Sequence, residues 1–157
     1  MSNSEITSDK DLWEICKKYG IKLNGIFSKN LLPTSSLKDG AYIINLQNSN
    51  VGNGTHWTCF FIRGNQMAYF DSFGIDEPEI LEKLDSRYDY SENYKQLQDI
   101  NDSCCGYFCI SFLLYCTKSR LPLSECIILF TNLFGNDMKE NKYILKRLLK
   151  QHYTNKR

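Results

Sequence analysis

Apolar and polar positions along the first third of the chain have both helical and strand-like spacings. A helix is predicted from the cap residue Ser8 to about Tyr19, with Gly20 as its end. A loop is predicted to follow, up to Gly40. Residues 41–46 (AYIINL) are rich in β-forming side chains and predict a buried strand. Residues 47–54 (QNSNVGNG) are turn-forming and predict another loop.

Two strand-like runs come next, at residues 55–63 (THWTCFFIR) and 66–73 (QMAYFDSF). The two residues between them are Gly64 and Asn65, and such a linker predicts a β-hairpin. In that hairpin's register, Thr58 faces Asp71, and His56 faces Phe73.

The second half of the chain is predicted to be mainly helical. Pro78 suits the first turn of a short helix that ends near Leu84, and a strand is predicted over residues 93–97. Residues 106–116 (GYFCISFLLYC) are apolar on nearly every side; their length favours a buried helix, although periodicity alone also allows a strand. Two more helices are predicted over residues 124–134, ended by Gly135, and over residues 137–152. The second is amphipathic, with lysines outward and these side chains inward: Met138, Leu145, Leu148 and Leu149.

Composition and charge place the chain among ordinary globular proteins. The 157 residues fit one domain, residues 1–157, and 42% apolar with 24% charged residues argue against disorder. No apolar run approaches the ~20 residues of a membrane helix, so no membrane contact is expected. The polar start lacks the pattern of a secretory signal, so we expect an intracellular protein. A net charge of +1 gives no general attraction to polyanions.

Seven cysteines are present, and in a reducing compartment most are expected to be small buried thiols. The chain has two histidines, His56 and His152, and no pair of Cys-x-x-Cys motifs. We therefore predict no metal site.

A catalytic cysteine needs a base and a group that orients the base. His152 lies in a basic tail, whereas His56 opens a strand after a Gly-rich loop, where a side chain is both accessible and rigidly held. The hairpin register makes Asp71 a diagonal neighbour of His56, about 7–8 Å away at Cα and within reach of a hydrogen bond. A slip of one residue would place the two on opposite faces. Taken alone, a strand histidine is more often structural.

Cys105 is the candidate nucleophile because it directly precedes Gly106 and the buried helix. At a helix N-terminus, the macrodipole and free N–H groups stabilise a thiolate. The backbone N–H of Cys105 can form half of an oxyanion hole, and the amide of Gln98 is suited to donate the second hydrogen bond. Cys104 is the alternative nucleophile and Gln96 the alternative donor; Gly106 and the spacing from Gln98 favour Cys105.

The order His56, Asp71, Gln98, Cys105 resembles that of the adenovirus maturation protease. The wider group includes virophage, transposon and giant-virus relatives and the SUMO-specific proteases. The resemblance is carried by His56-Trp57, by residues 70–74 (FDSFG), and by Gln98 seven residues before Cys105. Residues 25–27 (GIF), 31–33 (LLP) and 42–46 (YIINL) are also similar to viral relatives, so that roughly residues 8–120 are covered.

The resemblance implies an α+β, papain-like (adenain-like) cysteine protease fold. A central mixed β-sheet would be flanked by helices, with the nucleophile at the N-terminus of a buried helix. Peptide bonds would be hydrolysed through an acyl-enzyme thioester. Cys105 would attack, His56 would transfer the proton and Asp71 would orient His56. Gln98 and the Cys105 N–H would bind the oxyanion.

The same resemblance implies a substrate preference. Trp57 would close over a narrow cleft and, with Gly106, contact substrates that have small residues, typically glycine, before the cut. The alternative for Trp57 is a core aromatic side chain.

The function predicted on these grounds is a viral cysteine endopeptidase that cleaves capsid and core precursor proteins during virion maturation. The first alternative is a deconjugating protease that removes the ubiquitin-like modifier SUMO after Gly-Gly. The second is a non-catalytic binding module of the same fold, which has no need of a complete His, Asp, Gln and Cys set. The small chain, with no appended targeting domain, favours the viral enzyme.

The predicted chemistry requires no cofactor, while family analogy implies DNA or a peptide as an activator. The basic C-terminal helix is most often a solvated face in such proteins; weak nucleic acid contact there is a minority hypothesis. The residues concerned are Lys139, Lys142, Lys146, Arg147, Lys150, Lys156 and Arg157. We expect a monomer in the host cytoplasm or virus factory that is also packaged in the virion.

Overall fold

A five-stranded mixed sheet lies at the centre of the structure, a computed structural model that describes residues 8–46, 56–75 and 78–155. Neighbouring strands follow sequence order; the two outer pairs are parallel and the inner pairs antiparallel. The strands are β1 (Leu23–Ser28), β2 (Gly40–Asn45), β3 (Trp57–Arg63), β4 (Gln66–Phe70) and β5 (Asp89–Glu92).

Helices cover the sheet close to where the sequence predicts them. In the described residues they are α1 (Asp9–Tyr19), α2 (Glu79–Asp85), α3 (Cys105–Lys118), α4 (Leu123–Thr131) and α5 (Met138–Asn155). The ends of α1 are as predicted: the Ser8 hydroxyl accepts the N–H of Asp11, and Gly20 ends the helix at φ 74°.

The two faces of the sheet carry separate apolar clusters, because successive side chains of a strand point to opposite faces. Ile43, Phe61 and Phe70 belong to the cluster formed with α1, α3, α4 and α5. The other face packs against Leu81 and Leu84 of α2. Helix α3 contacts β3 as well as α1, α4 and α5. It is therefore enclosed, which explains why residues 106–116 have no polar face.

Two strands depart from the sequence-based expectation. The predicted strand over residues 93–97 is wrong: the fifth strand, β5, comes earlier and pairs in parallel with β4. β5 is a short, polar strand at the sheet edge, so it has no apolar signature. β1 was not predicted, because Gly25 is its single buried residue and no period-two pattern results. The predicted loop over residues 47–54 lies outside the described residues.

β4 ends at Phe70, three residues earlier than predicted, because the chain turns at Asp71. The N–H of Gly74 donates to the carbonyl of Asp71 at 2.8 Å, and Gly74 has φ 70°. A Cβ atom at Gly74 would lie 2.8 Å from backbone atoms of Lys95 and Tyr94. The turn therefore requires glycine both for its dihedral angle and for the close approach of the neighbouring segment.

No helix among the described residues combines the length and the apolar character needed to cross a bilayer.

Replacing Gly74 by alanine should destabilise the protein more than the same change at Gly64. Both residues have positive φ, but a Cβ at Gly64 would have no atom within 4 Å. Gly64→Ala should cost roughly 1–2 kcal/mol from backbone strain. Gly74→Ala should cost a further ~1–3 kcal/mol from overpacking. Urea unfolding of both variants measures the difference, and equal losses would contradict this account of the turn.

Candidate active site

His56 and Asp71 lie side by side at one end of the β3–β4 hairpin. The hairpin has the predicted register, in which Cys59 pairs with Phe70. His56 precedes Cys59 on one strand and Asp71 follows Phe70 on the other, so both lie at the same end of the hairpin. His56 Nε2 lies 2.6 Å from Asp71 Oδ1. The carboxylate–imidazole contact expected from the sequence is therefore present.

The imidazole of His56 is held by two further contacts. The ring of Phe73 stacks on it, with centroids 3.9 Å apart and planes at 8°. The N–H of Leu46 donates to the carbonyl of His56 at 3.0 Å, which ties this residue to the end of β2. Its orientation is thus fixed before any substrate binds.

Asp71 is fully buried, and Asn93 holds its backbone. The side-chain oxygen of Asn93 accepts the Asp71 N–H at 3.0 Å, and its amide nitrogen donates to the Asp71 carbonyl at 2.7 Å. Asp71 Oδ1 also accepts the N–H of Phe73 at 2.9 Å. Sequence reasoning missed this role of Asn93, because a single asparagine in a polar stretch gives no signal of a distant backbone partner.

The electrostatic environment favours a protonated His56. Burial disfavours the charged ring, but the hydrogen bond with Asp71 and the nearby Cys105 sulfur outweigh burial and raise the pKa of His56 from 6.5 to about 9. Because Nε2 faces Asp71, Nδ1 is the nitrogen left for Cys105. Nδ1 is buried and has no hydrogen-bond partner among the described residues. It is therefore positioned to exchange a proton with the thiol.

Cys105 is the first residue of α3 and is 4% exposed. Its Sγ accepts the backbone N–H of Trp57 at 3.4 Å, so the start of α3 lies against the start of β3, next to His56. The first N–H groups of a helix have no acceptor within the helix. The sulfur is thus surrounded by the imidazole, a backbone donor and the positive end of a helix.

The other cysteines near this helix are less suited to act as the nucleophile. Burial and the negative charge of Asp102 raise the pKa of Cys104 to about 12. Cys126 in α4 has a pKa lowered to about 6, mainly by a hydrogen bond from Cys116. It is fully buried, however, and its pKa is set by Cys116, Ser119 and Arg63 rather than by a histidine. The geometry favours Cys105.

Gln98 is buried, and two contacts hold its side-chain amide. Oε1 accepts the hydroxyl of Ser72, and Nε2 donates to the carbonyl of Asp102 at 2.9 Å. Since an amide nitrogen carries two hydrogens, one remains for another acceptor. Gln96 is exposed and donates to the carbonyl of Gln98 at 2.9 Å, so it braces the loop. Gln98 is thus the glutamine with a buried, held side-chain amide, and its role as the oxyanion donor stays a prediction.

Trp57 and Gly106, the predicted substrate-contacting residues, lie beside the nucleophile. Trp57 is 2% exposed and packs in the core, and its indole N–H has no partner among the described residues. Gly106 is buried as the second residue of α3. Their contact with substrate stays a prediction. The side chain of His152, the alternative base, lies outside the described ones.

The segment before Cys105 is attached to α5, a feature that sequence reasoning missed. The Asn141 side-chain amide donates to the carbonyl of Leu97 at 3.0 Å, and Lys142 Nζ lies 3.2 Å from the carboxylate of Asp102. Leu97 and Asp102 bracket Gln98, so α5 holds this segment on both sides of the candidate donor.

In the described part of the chain, no group of His, Cys, Asp and Glu could hold a metal ion.

Comparison with known proteins identifies the fold. Neither a family model nor a curated protein sequence matches the chain. Among solved structures, the ASFV pS273R protease is similar, with a TM-score of 0.51 and 13% identity over 92% of this chain and 65% of that one. ChlaDub1 from Chlamydia trachomatis aligns with a TM-score of 0.46 and 17% identity over 73% of this chain and 61% of that one.

The chain thus spans just under two thirds of the length of either protein. The similarity to the pS273R protease confirms the expected papain-like fold. Membership of the adenovirus-type group stays a prediction.

The pKa of His56 provides a test of the site that needs no substrate. NMR titration should give a pKa near 9 in the wild-type protein. In Asp71→Asn the pKa should fall well below 9, because burial persists and the carboxylate that raises it most is gone. Because the folded-state pKa is raised, the contribution of the charged ring to stability should be complete below pH 6.5 and lost as the pH rises through about 9.

Asp89→Asn is the matched control, since Asp89 is exposed at the start of β5. It should leave the titration of His56 unchanged. A wild-type pKa near 6.5, or no shift in Asp71→Asn, would show that the carboxylate does not hold the imidazole.

Proposed function

We propose that this protein is a cysteine endopeptidase with Cys105 as nucleophile, His56 as base and Asp71 as the orienting acid. The observation that carries the proposal is the 2.6 Å contact between His56 and Asp71, with the Cys105 thiol close enough to the same imidazole to raise its pKa. A binding module of this fold would have no need of a buried acid, an oriented imidazole and a thiol in the same site.

The first chemical step is acylation. Cys105 Sγ, its proton transferred to His56 Nδ1, attacks the carbonyl carbon of the scissile peptide bond. The developing oxyanion accepts hydrogen bonds from the Cys105 N–H and the remaining hydrogen of Gln98 Nε2. His56 then donates its proton to the leaving amine, the C–N bond breaks and a thioester forms.

The second step is hydrolysis of the thioester. His56 removes a proton from a water molecule, which attacks the thioester carbonyl, and the same two donors stabilise the oxyanion. The C–S bond breaks, the carboxylic acid leaves and the thiol regains its proton. Throughout both steps, Asp71 keeps Nε2 protonated and the ring in one orientation.

The proposed substrates are capsid and core precursor polypeptides cut after small residues, typically glycine, during virion maturation. The sequence resemblance to the adenovirus-type group supports this choice, as does a fold shared with a viral protease. The backbone N–H of Trp57 contacts the nucleophile while its ring packs in the core, so a cleft closed by this ring rests on the resemblance alone.

The steps above use only groups of this chain, and DNA or a peptide is proposed as an activator. The basic C-terminal helix is the proposed site of weak nucleic acid contact, and its exposed lysines include Lys139, Lys146 and Lys150. A monomeric enzyme in the host cytoplasm or virus factory, and inside the virion, would have access to such substrates.

Cys105→Ala should abolish cleavage of an internally quenched peptide with Gly-Gly at its centre, while leaving the unfolding midpoint in urea nearly unchanged. Cys104→Ala is the matched control and should retain most of the activity, because the Cys104 thiol is next to Asp102 and the proposed steps do not use it. The assay is run with and without DNA. Full activity in Cys105→Ala would contradict the proposal.

The same assay separates the two enzyme hypotheses. An endopeptidase should cleave the peptide, whereas a deconjugating protease should cleave a folded SUMO fusion after Gly-Gly and leave the peptide intact. Cleavage of the fusion alone would replace the proposed substrate class and keep the proposed chemistry.

A further inference from the structure

Ser72 follows the acid of the site directly, and none of the chemical steps above uses its side chain. The residue is buried, and its hydroxyl donates a hydrogen bond to Gln98 Oε1. This buried hydroxyl therefore contacts the side chain of the candidate oxyanion donor without taking part in any of those steps.

The hydrogen bonds around Gln98 determine which way its amide points. The carbonyl of Asp102 can only accept, so the atom 2.9 Å from it must be Nε2. Oε1 must then face Ser72, whose hydroxyl supplies the hydrogen. If the amide were flipped, Oε1 would lie against the Asp102 carbonyl and two acceptors would repel each other. The Asp102 carbonyl thus selects this orientation, and the Ser72 hydroxyl holds the amide in it by donating to Oε1. The second hydrogen of Nε2 then remains for another acceptor.

The backbone of Ser72 holds the same residue. Its carbonyl accepts the N–H of Leu97 at 2.8 Å and that of Gln98 at 3.1 Å. The carbonyl of Ser72 thus holds the backbone of Gln98, and its hydroxyl holds the side-chain amide. The carbonyl contacts would survive loss of the hydroxyl, so a side-chain substitution tests the amide orientation separately from the path of the backbone.

We propose that Ser72 is a positioning residue, whose hydroxyl holds the amide of Gln98 in the orientation selected by the Asp102 carbonyl, so that Nε2 donates to the oxyanion. This inference rests on the proposed function, since it assigns Ser72 a part in the same reaction. Asp71 and Ser72, which are neighbours in the chain, then have separate positioning roles. The acid orients the base, and the serine orients the oxyanion donor, so one short turn aligns groups from two distant parts of the chain.

Ser72→Ala should lower kcat on the Gly-Gly peptide by roughly 10- to 100-fold with little change in KM, because the misplaced donor acts mainly in the transition state. Ser111→Ala is the matched control: Ser111 is also a buried serine, but it lies in the middle of α3. It should keep wild-type kcat. In a Gln98→Ala background, adding Ser72→Ala should cause almost no further loss, since Ser72 acts through Gln98.

Two readouts separate positioning from general damage. The rate at which iodoacetamide alkylates Cys105 should be unchanged in Ser72→Ala, because alkylation forms no oxyanion. The side-chain NH₂ resonances of Gln98 should shift in ¹⁵N-labelled Ser72→Ala and remain in place in Ser111→Ala.

Each failure has a distinct signature. A wild-type protein that cleaves neither peptide nor SUMO fusion would contradict the proposed function, while the Gln98 resonances would still decide the role of Ser72. Unchanged Gln98 resonances in Ser72→Ala, or an equal loss of kcat with and without Gln98, would overturn the inference.

Discussion

Asp71 is a fully buried acid whose side chain lies 2.6 Å from the imidazole of His56, and the arrangement of the site depends on this pair. Burying a carboxylate is costly unless it is paired and hydrogen-bonded. Here the imidazole and the Phe73 N–H are the partners of Oδ1, whereas Oδ2 is buried without a hydrogen-bond partner among the described residues. The pair exists only in one hairpin register, because a slip of one residue would move Asp71 to the opposite face of the ribbon. A two-residue turn at Gly64 and Asn65 sets that register.

The nucleophile and the oxyanion donor reach this pair from other parts of the chain. Packing of α3 against β3 brings the Cys105 sulfur to the N–H of Trp57, beside His56. The segment around Gln98 is held from one side by Ser72 and from the other by Asn141 and Lys142 of α5. Helix α5 lies beyond the part of the chain that resembles the adenovirus-type proteases. It nevertheless contacts the segment that carries the donor, so the C-terminal helix is part of the architecture of the site.

The features that the sequence predicts correctly have strong local signals. The Gly64-Asn65 turn gave the hairpin register and with it the contact of His56 with Asp71. The unbroken apolar run after Cys105 gave the buried helix. By contrast, β1 and β5 have little apolar alternation, and tertiary pairing with β2 and β4 determines them. Asn93 was assigned to a strand, whereas it holds the backbone of Asp71 from a loop. Such contacts join residues far apart in sequence, and no local pattern records them.

The most direct test of the central claim, a thiol activated by an oriented imidazole, is the site of alkylation by limiting iodoacetamide. The reaction is run at about pH 6, well below the ordinary thiol pKa, on the wild-type protein and on His56→Ala, and the modified peptides are identified by mass spectrometry. The account predicts that Cys105 is modified first among the seven cysteines, and that His56→Ala slows this reaction. Preferential modification of Cys104, or equal modification in both proteins, would contradict it.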